Sequence, residues 1–487
     1  MRIAFLSSEV APYSKTGGLA DVAGALPKFL AGTGRAEVRV FTPFYREVRA
    51  KGLPLVTAAE NVPVSLGGRR LSFNLYEHRA GNVTFSFIGS DDRFDREFLY
   101  GTPAGDYPDN GERFGFFSRA ALEAMKAAGF RPDLVHGNDW QSAAAFAFLR
   151  FTLADDPFFS RTGSVFTIHN LAYQGLFEKE ILAALGLPAT LFDLNHLEFF
   201  GKVNFLKAGI LYASAVTTVS RKYSREIQTP EFGCGLDGLL RHRSDVLFGI
   251  LNGVDYEAWN PESDALIPAN YGPRDLGGKT VSKLELLRLF GLPAEETKPV
   301  VGMVTRLAGQ KGLDIVCEAL EGVFKLGVRL VILGTGEKKI QEFLEAARQR
   351  YPEDLGLKIA FDEKLARTIY AGSDMFLIPS RYEPCGLTQM YSLKYGTIPV
   401  VRATGGLDDT IQEFEPATLR GNGFKFEAAT PAALVEALGR AARTFSDRQR
   451  WRRLVLNAMA ADFSWDRSAR RYLELYKTII SLASRRR

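Results

Sequence analysis

Apolar positions in this chain fall in short, nearly unbroken runs separated by longer amphipathic stretches. In the first half the runs are Ile3–Leu6, Val38–Phe41, Leu134–His136, Ser164–Ile168 and Ala215–Val219. Runs of that length read as strands of a parallel sheet covered on both faces. Between them, Ala20–Leu30, Phe114–Ala128 and Asp139–Leu149 carry the 3.6-residue period of helices, and Pro27 predicts a kink or early end in the first. Arg70–Phe87 alternates instead, which predicts a hairpin inserted in the sheet. A second series starts at Val300–Val304 and continues through Val328–Leu333, Lys358–Phe361, Met375–Ile378 and Ile398–Val401. Trp465–Ile480, behind a potential N-cap at Ser464, places Tyr472, Leu475, Tyr476 and Ile479 on one helical face and predicts a docked helix.

Strands alternating with helices make this an α/β protein of two Rossmann-like, doubly wound domains. The stretch Asn252–Lys298 is rich in Pro, Gly and Asn apart from a helical patch at Ser282–Phe290, so the boundary falls near its start. The expected domains are 1–253 and 254–464, with 465–487 as the terminal helix. Ligands of such sheets sit beyond the carboxyl ends of the strands, and both sets of loops are expected to face a deep cleft.

Composition narrows the class. A chain of 487 residues is too long for one core, and 46% hydrophobic with 24% charged residues is the balance of a globular protein. Lys plus Arg exceed Asp plus Glu by 61 to 56, and Arg485-Arg486-Arg487 supply much of the excess, so no nucleic-acid surface is indicated. Cys234, Cys317 and Cys385 are too few and too scattered for a disulfide framework or a zinc site, and suit a reducing cytoplasm. No run reaches the roughly 18 apolar residues of a membrane span.

The chemistry sits in loops after predicted strands. Thr-Gly-Gly-Leu occurs at Thr16–Leu19 and again at Thr404–Leu407. The first copy is preceded by Lys15 and followed by Asp21, which suits phosphate contact by backbone N–H groups beside a cation. The second has Ala403 where Lys15 stands and reads as a backbone wall. Arg306 and Lys311 follow Val300–Val304, where together they could offset a diphosphate without a metal. Glu383 precedes a predicted helix in Pro379–Gln389; it either grips hydroxyls together with the amides of Cys385, Gly386 and Leu387 or caps the helix. His169 follows a strand at once. Asp139 follows another, where spacing alone favours a helix cap over a base. Cys385 reads equally as a packed small residue. Asn252-Gly253-Val254-Asp255 has the make-up of a plain turn. No Gly-x-x-x-x-Gly-Lys-Ser/Thr loop occurs, and Gly334-Thr335-Gly336 is only a fragment of a dinucleotide-type glycine loop. No metal-ligand motif is present.

With these motifs in place the chain resembles bacterial glycogen synthases and plant starch synthases nearly end to end. Ser7-Ser8-Glu9, Lys15–Val22, Asn138-Asp139-Trp140, His169-Asn170, Arg306–Gly312, Glu383–Gln389, Thr404–Leu407 and Phe463-Ser464-Trp465 carry the resemblance. It implies the GT-B fold of retaining glycosyltransferases, with a C-terminal helix crossing back to the first domain. The implied activity is transfer of glucose from ADP-glucose to the non-reducing 4-hydroxyl of an α-1,4-glucan, without a cofactor or metal. Lys15, Gly18, Arg306 and Lys311 would then hold the diphosphate. Glu383 would grip the glucosyl hydroxyls with Cys385, Gly386, Leu387 and Thr388, and Asn252 another hydroxyl. Asp21 and Tyr391 would complete the donor site, with Phe361 near the adenine. His169 would support the oxocarbenium-like sugar, and Glu9 and Asp139 would lie on the acceptor side.

Three positions depart from wider patterns. Asn138 and Gln141 stand where relatives often have His, and Tyr391 stands where many retaining enzymes have a second carboxylate. The alternatives are a different donor such as UDP-glucose, a sucrose or trehalose-phosphate synthase, and an idle glucan-binding scaffold. The Lys-Thr-Gly-Gly loop speaks against the second, and the presence of Lys15, Arg306, Lys311 and Glu383 against the third.

Overall fold

In the computed structural model, which describes residues 1–485, Ile3–Leu6 is fully buried as part of β1 (Arg2–Leu6) in the middle of a nine-stranded sheet. Arg486 and Arg487, in the basic tail and at the end of the 465–487 segment, lie outside the described residues. The other strands of this sheet are β2 (Glu37–Pro43), β3 (Val56–Leu66), β4 (Arg69–Ala80), β5 (Val83–Gly89), β6 (Leu134–Asn138), β7 (Gly163–Ile168), β8 (Ala215–Thr218) and β9 (Leu247–Gly249). Their order is β9-β8-β7-β6-β1-β2-β5-β4-β3. Only β4 runs antiparallel to its neighbours, so the expected hairpin is present as β4 and β5, with β3 added beyond it.

Contacts divide the chain into two units. The first comprises Met1–Val219, Ser224–Gly253 and the helix that opens at Trp465. The second comprises Ser220–Tyr223 and Val254–Ser464. The helix after β1 spans Gly18–Gly32 and passes through Pro27 without stopping, so of the kink or early end expected there the early end does not occur. Leu26, Pro27 and Leu30 are all buried, and packing of that face outweighs the lost hydrogen bond of one proline. Trp465–Arg485 packs on Gly18–Gly32 and β7, burying Tyr472, Leu473, Tyr476 and Ile479. Beneath it His136 is fully buried, with Nδ1 2.6 Å from the Tyr476 hydroxyl and Nε2 2.6 Å from Thr167 Oγ1. Burial depresses its pKa to about 3, so the ring is neutral.

The second unit is built on a six-stranded parallel sheet in the order β12-β11-β10-β13-β14-β15. These are β10 (Val300–Val304), β11 (Arg329–Leu333), β12 (Leu355–Lys358), β13 (Met375–Ile378), β14 (Ile398–Arg402) and β15 (Phe424–Phe426). The strand expected at Lys358–Phe361 lies earlier, at Leu355–Lys358, which leaves Phe361 in the loop that follows. Lys279, in the helix Gly277–Phe290, donates from Nζ to Ala371 O, Tyr395 O and Thr397 Oγ1 at 3.0, 3.2 and 2.6 Å, capping carbonyls where two helices end. No helix among the described residues is long and apolar enough to cross a membrane.

Candidate active site

Both sheets reverse their winding beside their first strand, and candidate residues leave the chain there. In the second unit β10 lies between β11 and β13, so loops after β10 and β13 diverge at a topological switch point. Lys311, from the loop after β10, and Glu383, from the loop after β13, meet there: Nζ is 2.6 Å from Oε2. Ser380 Oγ donates to the same oxygen at 2.9 Å. Both bonds fall on Oε2, and Oε1 takes part in neither. Glu383 is therefore not a helix cap; the helix is Thr388–Lys394, and its N-cap Leu387 makes no side-chain cap bond. Arg306 is exposed, its guanidinium 2.9 Å from Gln310 Oε1.

Glycines set this geometry. Gly312, at φ +72°, lies so close to β13 that a Cβ would sit 2.1 Å from Pro379 O. Gly334 and Gly336, fragmentary as a motif, let the end of β11 lie against the loop after β10: a Cβ on either would fall within 2.2 Å of Thr305 O or Leu307 O. The second Thr-Gly-Gly-Leu also has a packing role. Gly405 and Gly406 lie against the backbone of Glu383–Cys385, and Gly406 N donates to Glu383 O at 3.1 Å. It braces the Glu383 loop from behind. Cys385 is buried in that brace, as a packed small residue would be. Gly386 turns the chain at φ +67°, and Gln389, fully buried, donates to Cys385 O and Gly386 O at 3.0 and 2.9 Å.

One ring face of Tyr391 is taken: it stacks on Trp259 at 3.7 Å and 5°, with the Arg367 guanidinium 4.1 Å from the Trp259 ring centroid. The stack ties the segment after the domain boundary to the helix Thr388–Lys394. Sequence spacing could not show it, because the two rings are distant in the chain. Phe361 is 93% exposed.

In the first unit the candidates follow β1, β6 and β7, again around the central strand. Glu9 is 3% exposed, and its Oε2 accepts from Thr16 N, Thr16 Oγ1 and Gly17 N at 2.5, 2.8 and 3.3 Å. Withdrawal from water raises its pKa against those bonds. Glu9 thus shapes the glycine loop from inside. Lys15 Nζ lies outside on the same loop, 2.6 Å from Asp21 Oδ1, with both side chains partly exposed. Gly18 opens the helix, and a Cβ there would meet nothing within 4 Å.

Asp139 does not cap its own helix. It is the first residue of Asp139–Ala147, at φ +53°, and its Oδ1 accepts from His169 N on the neighbouring strand end at 2.7 Å. A second bond comes from the backbone of Asn170, and burial outweighs both, lifting the carboxyl pKa to about 7. A non-glycine residue in the left-handed region is costly and persists where the surroundings require it. His169 Nε2 lies 3.0 Å from Asn138 Oδ1, while Asn138 Nδ2 donates to Leu6 O at 2.9 Å. Because the Asn138 amide is oriented by Leu6, its oxygen faces the ring and Nε2 carries the proton. Burial lowers the His169 pKa to about 3, so the imidazole is neutral. Asn138, which departs from the usual His, is what fixes the tautomer. Asn252 is buried, and among the described residues its Oδ1, withdrawn from solvent, has no hydrogen-bond partner. The next residue, Gly253, is more than a plain turn: a Cβ there would sit 2.5 Å from the Trp465 backbone, where the chain re-enters this unit.

Residues 2–242 match the family model for the starch synthase catalytic domain, and residues 289–454 that for group 1 glycosyl transferases. With two Rossmann-like sheets, the candidate loops at their switch points and these matches, the molecule is a hexosyltransferase of the GT-B class. Two curated relatives narrow this. A glycogen synthase of Syntrophotalea carbinolica is 46% identical over 482 residues, 99% of each chain, and one of Koribacter versatilis is 48% identical over 478 residues, 98% of each. The catalytic domain of starch synthase IV from Arabidopsis thaliana, solved with ADP and acarbose, superposes with a TM-score of 0.89 at 34% identity, covering 98% of this chain and 99% of the other. The chain belongs to the glycogen synthase family.

Proposed function

We propose that this enzyme transfers glucose from ADP-glucose to the non-reducing 4-hydroxyl of an α-1,4-glucan with retention of configuration. The observation that carries the reading is the Lys311–Glu383–Ser380 constellation at the switch point of the second sheet, a cation held beside a carboxylate with one oxygen left to meet a hydroxyl. ADP in the structure of the Arabidopsis relative supports an adenine nucleotide, and the acarbose bound in the same structure supports a glucan-like acceptor.

In this reading Lys15, Arg306 and Lys311 are the fixed positive charges for the departing diphosphate. Charge on the distal phosphate grows as the glycosidic bond breaks, so cations placed there lower the barrier more than they tighten ground-state binding. Gly18 lets the diphosphate approach backbone N–H groups, and Asp21 holds Lys15 in place. Glu383 Oε1 takes a glucosyl hydroxyl. The exposed ring of Phe361 covers the base. Neutral His169, its tautomer fixed by Asn138, offers carbonyl and ring dipoles to the oxocarbenium-like sugar. No metal or cofactor enters the scheme, and a cytoplasmic site of action accords with three free cysteines.

A radiolabel assay with glycogen primer, each of ADP-glucose and UDP-glucose, and EDTA present tests the reading. Incorporation from ADP-glucose well above that from UDP-glucose is expected. Equal or better use of UDP-glucose overturns the donor assignment, and glycogen binding without incorporation from either donor overturns the catalytic one.

A further inference from the structure

A small hairpin of the first unit, 198–204, exposes an aromatic ring that local chemistry does not explain. Strands Glu198–Phe199 and Lys202–Asn204 pair antiparallel with Phe199 opposite Lys202, leaving Phe200 and Gly201 as a two-residue turn. Their φ angles are +48° and +80°. A turn with both central residues at positive φ favours Asn-Gly or Gly-Gly, because a side chain at the first position is strained there. Phenylalanine is a poor choice by that rule, and packing does not compensate, for Phe200 is 84% exposed.

The turn is nonetheless firmly held. Glu198 Oε1 accepts from Gly201 N at 2.7 Å, and Phe199 meets Phe200 edge-on at 4.7 Å and 85°. Gly235, at φ +81°, packs beneath both rings: a Cβ there would lie 2.9 Å from Phe199 and 3.3 Å from Phe200. The preceding residue leads back to the candidate site, since Gln174 Nε2 donates to Cys234 O at 3.0 Å. Asn204 Nδ2, at the base of the hairpin, donates to Gln174 Oε1 at 2.6 Å. Gln174 belongs to the loop that begins at His169-Asn170, and Tyr173 in that loop is itself 54% exposed. The hairpin and the His169 loop are thus one hydrogen-bonded framework carrying two outward aromatic rings.

We infer that Phe200 is an acceptor-docking residue, a stacking platform for the apolar C–H face of a glucose unit in an α-1,4-glucan chain, set apart from the reacting end of that chain. The inference rests on the function proposed above. Strain maintained in an exposed side chain points to a ligand rather than to folding. A saccharide fits better than a second protein copy. Phe200 and Tyr173 could together bury only about 400 Å², against roughly 1,600 Å² for a standard protein interface. The rim is polar as well, with Lys202 paired to Glu178 at 3.1 Å beside Glu198, the kind of side chains that meet hydroxyls.

Full-length Phe200→Ala, Phe200→Gly and Phe200→Tyr test this by steady-state kinetics with glycogen and by migration in glycogen-containing native gels, which needs no donor. The half-saturating glycogen concentration is expected to rise about fivefold to tenfold in the Ala and Gly variants and to be restored in Tyr, with kcat and the donor KM unchanged. Phe200→Gly should melt no lower than the parent, since glycine takes the turn without strain. Unchanged glycogen affinity in both truncations overturns the inference, as does an equal loss in donor KM, or a parent dimer that Phe200→Ala splits in sedimentation. A parent enzyme that transfers nothing from ADP-glucose refutes the proposed function instead, and gel retardation then still decides the fate of Phe200.

Discussion

A single methyl group should separate the two Thr-Gly-Gly-Leu loops. At Gly406 an added Cβ would lie 1.8 Å from Cys385 O and 2.6 Å from Cys385 Cα, all backbone. Carbon and oxygen tolerate roughly 3.3 Å, so the Glu383–Cys385 loop would have to retreat by about 1.5 Å. That shift is enough to break the 2.6 Å pair between Glu383 and Lys311. Overpacking of this kind costs about 1–3 kcal/mol, and a misplacement near 1 Å in a positioning loop costs on the order of a hundredfold in turnover. At Gly18 the same methyl meets nothing within 4 Å and stands in the first turn of a helix. Gly18→Ala should therefore hold or raise stability by up to about 1 kcal/mol, while denying a diphosphate its approach and raising the donor KM by about tenfold. Thermal melts alongside kcat and donor KM for the two variants decide the matter. Gly406→Ala with parental melting and turnover would refute the bracing role. Gly18→Ala that melts lower yet keeps its donor KM would refute the open-loop role.

Two further predictions concern pH. Asp139 has a folded pKa of about 7 against an ordinary 3.8, so the folded state holds the proton longer and this group's contribution falls as pH rises from about 4 to 7; Asp139→Asn, which keeps an acceptor and tolerates φ +53°, should gain on the order of 2 kcal/mol over the parent in urea unfolding at pH 8 and little at pH 4, and an equal gain at both would refute it. His136 acts with the opposite sign, because burial lowers its pKa from 6.5 to about 3: the stability it lends is complete above 6.5 and is lost as pH falls toward 3, worth about 5 kcal/mol at most, so His136→Asn should show a shallower acid dependence by circular dichroism than the parent.

Sequence patterning was informative where the chain buries both faces of a strand, as in β1, β10 and β13, whose apolar runs are unbroken. It failed at β3, most of whose side chains are exposed, and at β9 and β15, three residues each, too short to show a period. The sequence points too late for the strand after Arg350, because Ile359, Ala360 and Phe361 continue the apolar run after the ladder has ended at Lys358. Candidate site residues were legible as types at strand ends, but their partners were not. Asp139 looks like a cap because its helix is adjacent, yet its carboxylate serves a backbone 30 residues away. Lys311 and Glu383 are 72 apart and joined only by the order of strands. The two glycine pairs are identical in sequence, and only their surroundings make one a wall and the other an opening.

The return of Trp465–Arg485 to the first unit has a consequence for biosynthesis. His136 waits for the hydroxyl of Tyr476, 340 residues further along the chain. At about 5–20 residues per second a ribosome needs roughly 20 to 70 s to cover that interval. Throughout it the nascent N-terminal sheet carries an uncovered apolar face and an imidazole whose Nδ1 lacks its partner, with Thr167 alone meeting Nε2, while the second sheet emerges. A helix made after the second sheet completes the unit begun before it. Truncations that spare every candidate site residue but remove this helix should therefore fail at the level of yield, as chaperone-bound or degraded chains, before any question of turnover arises.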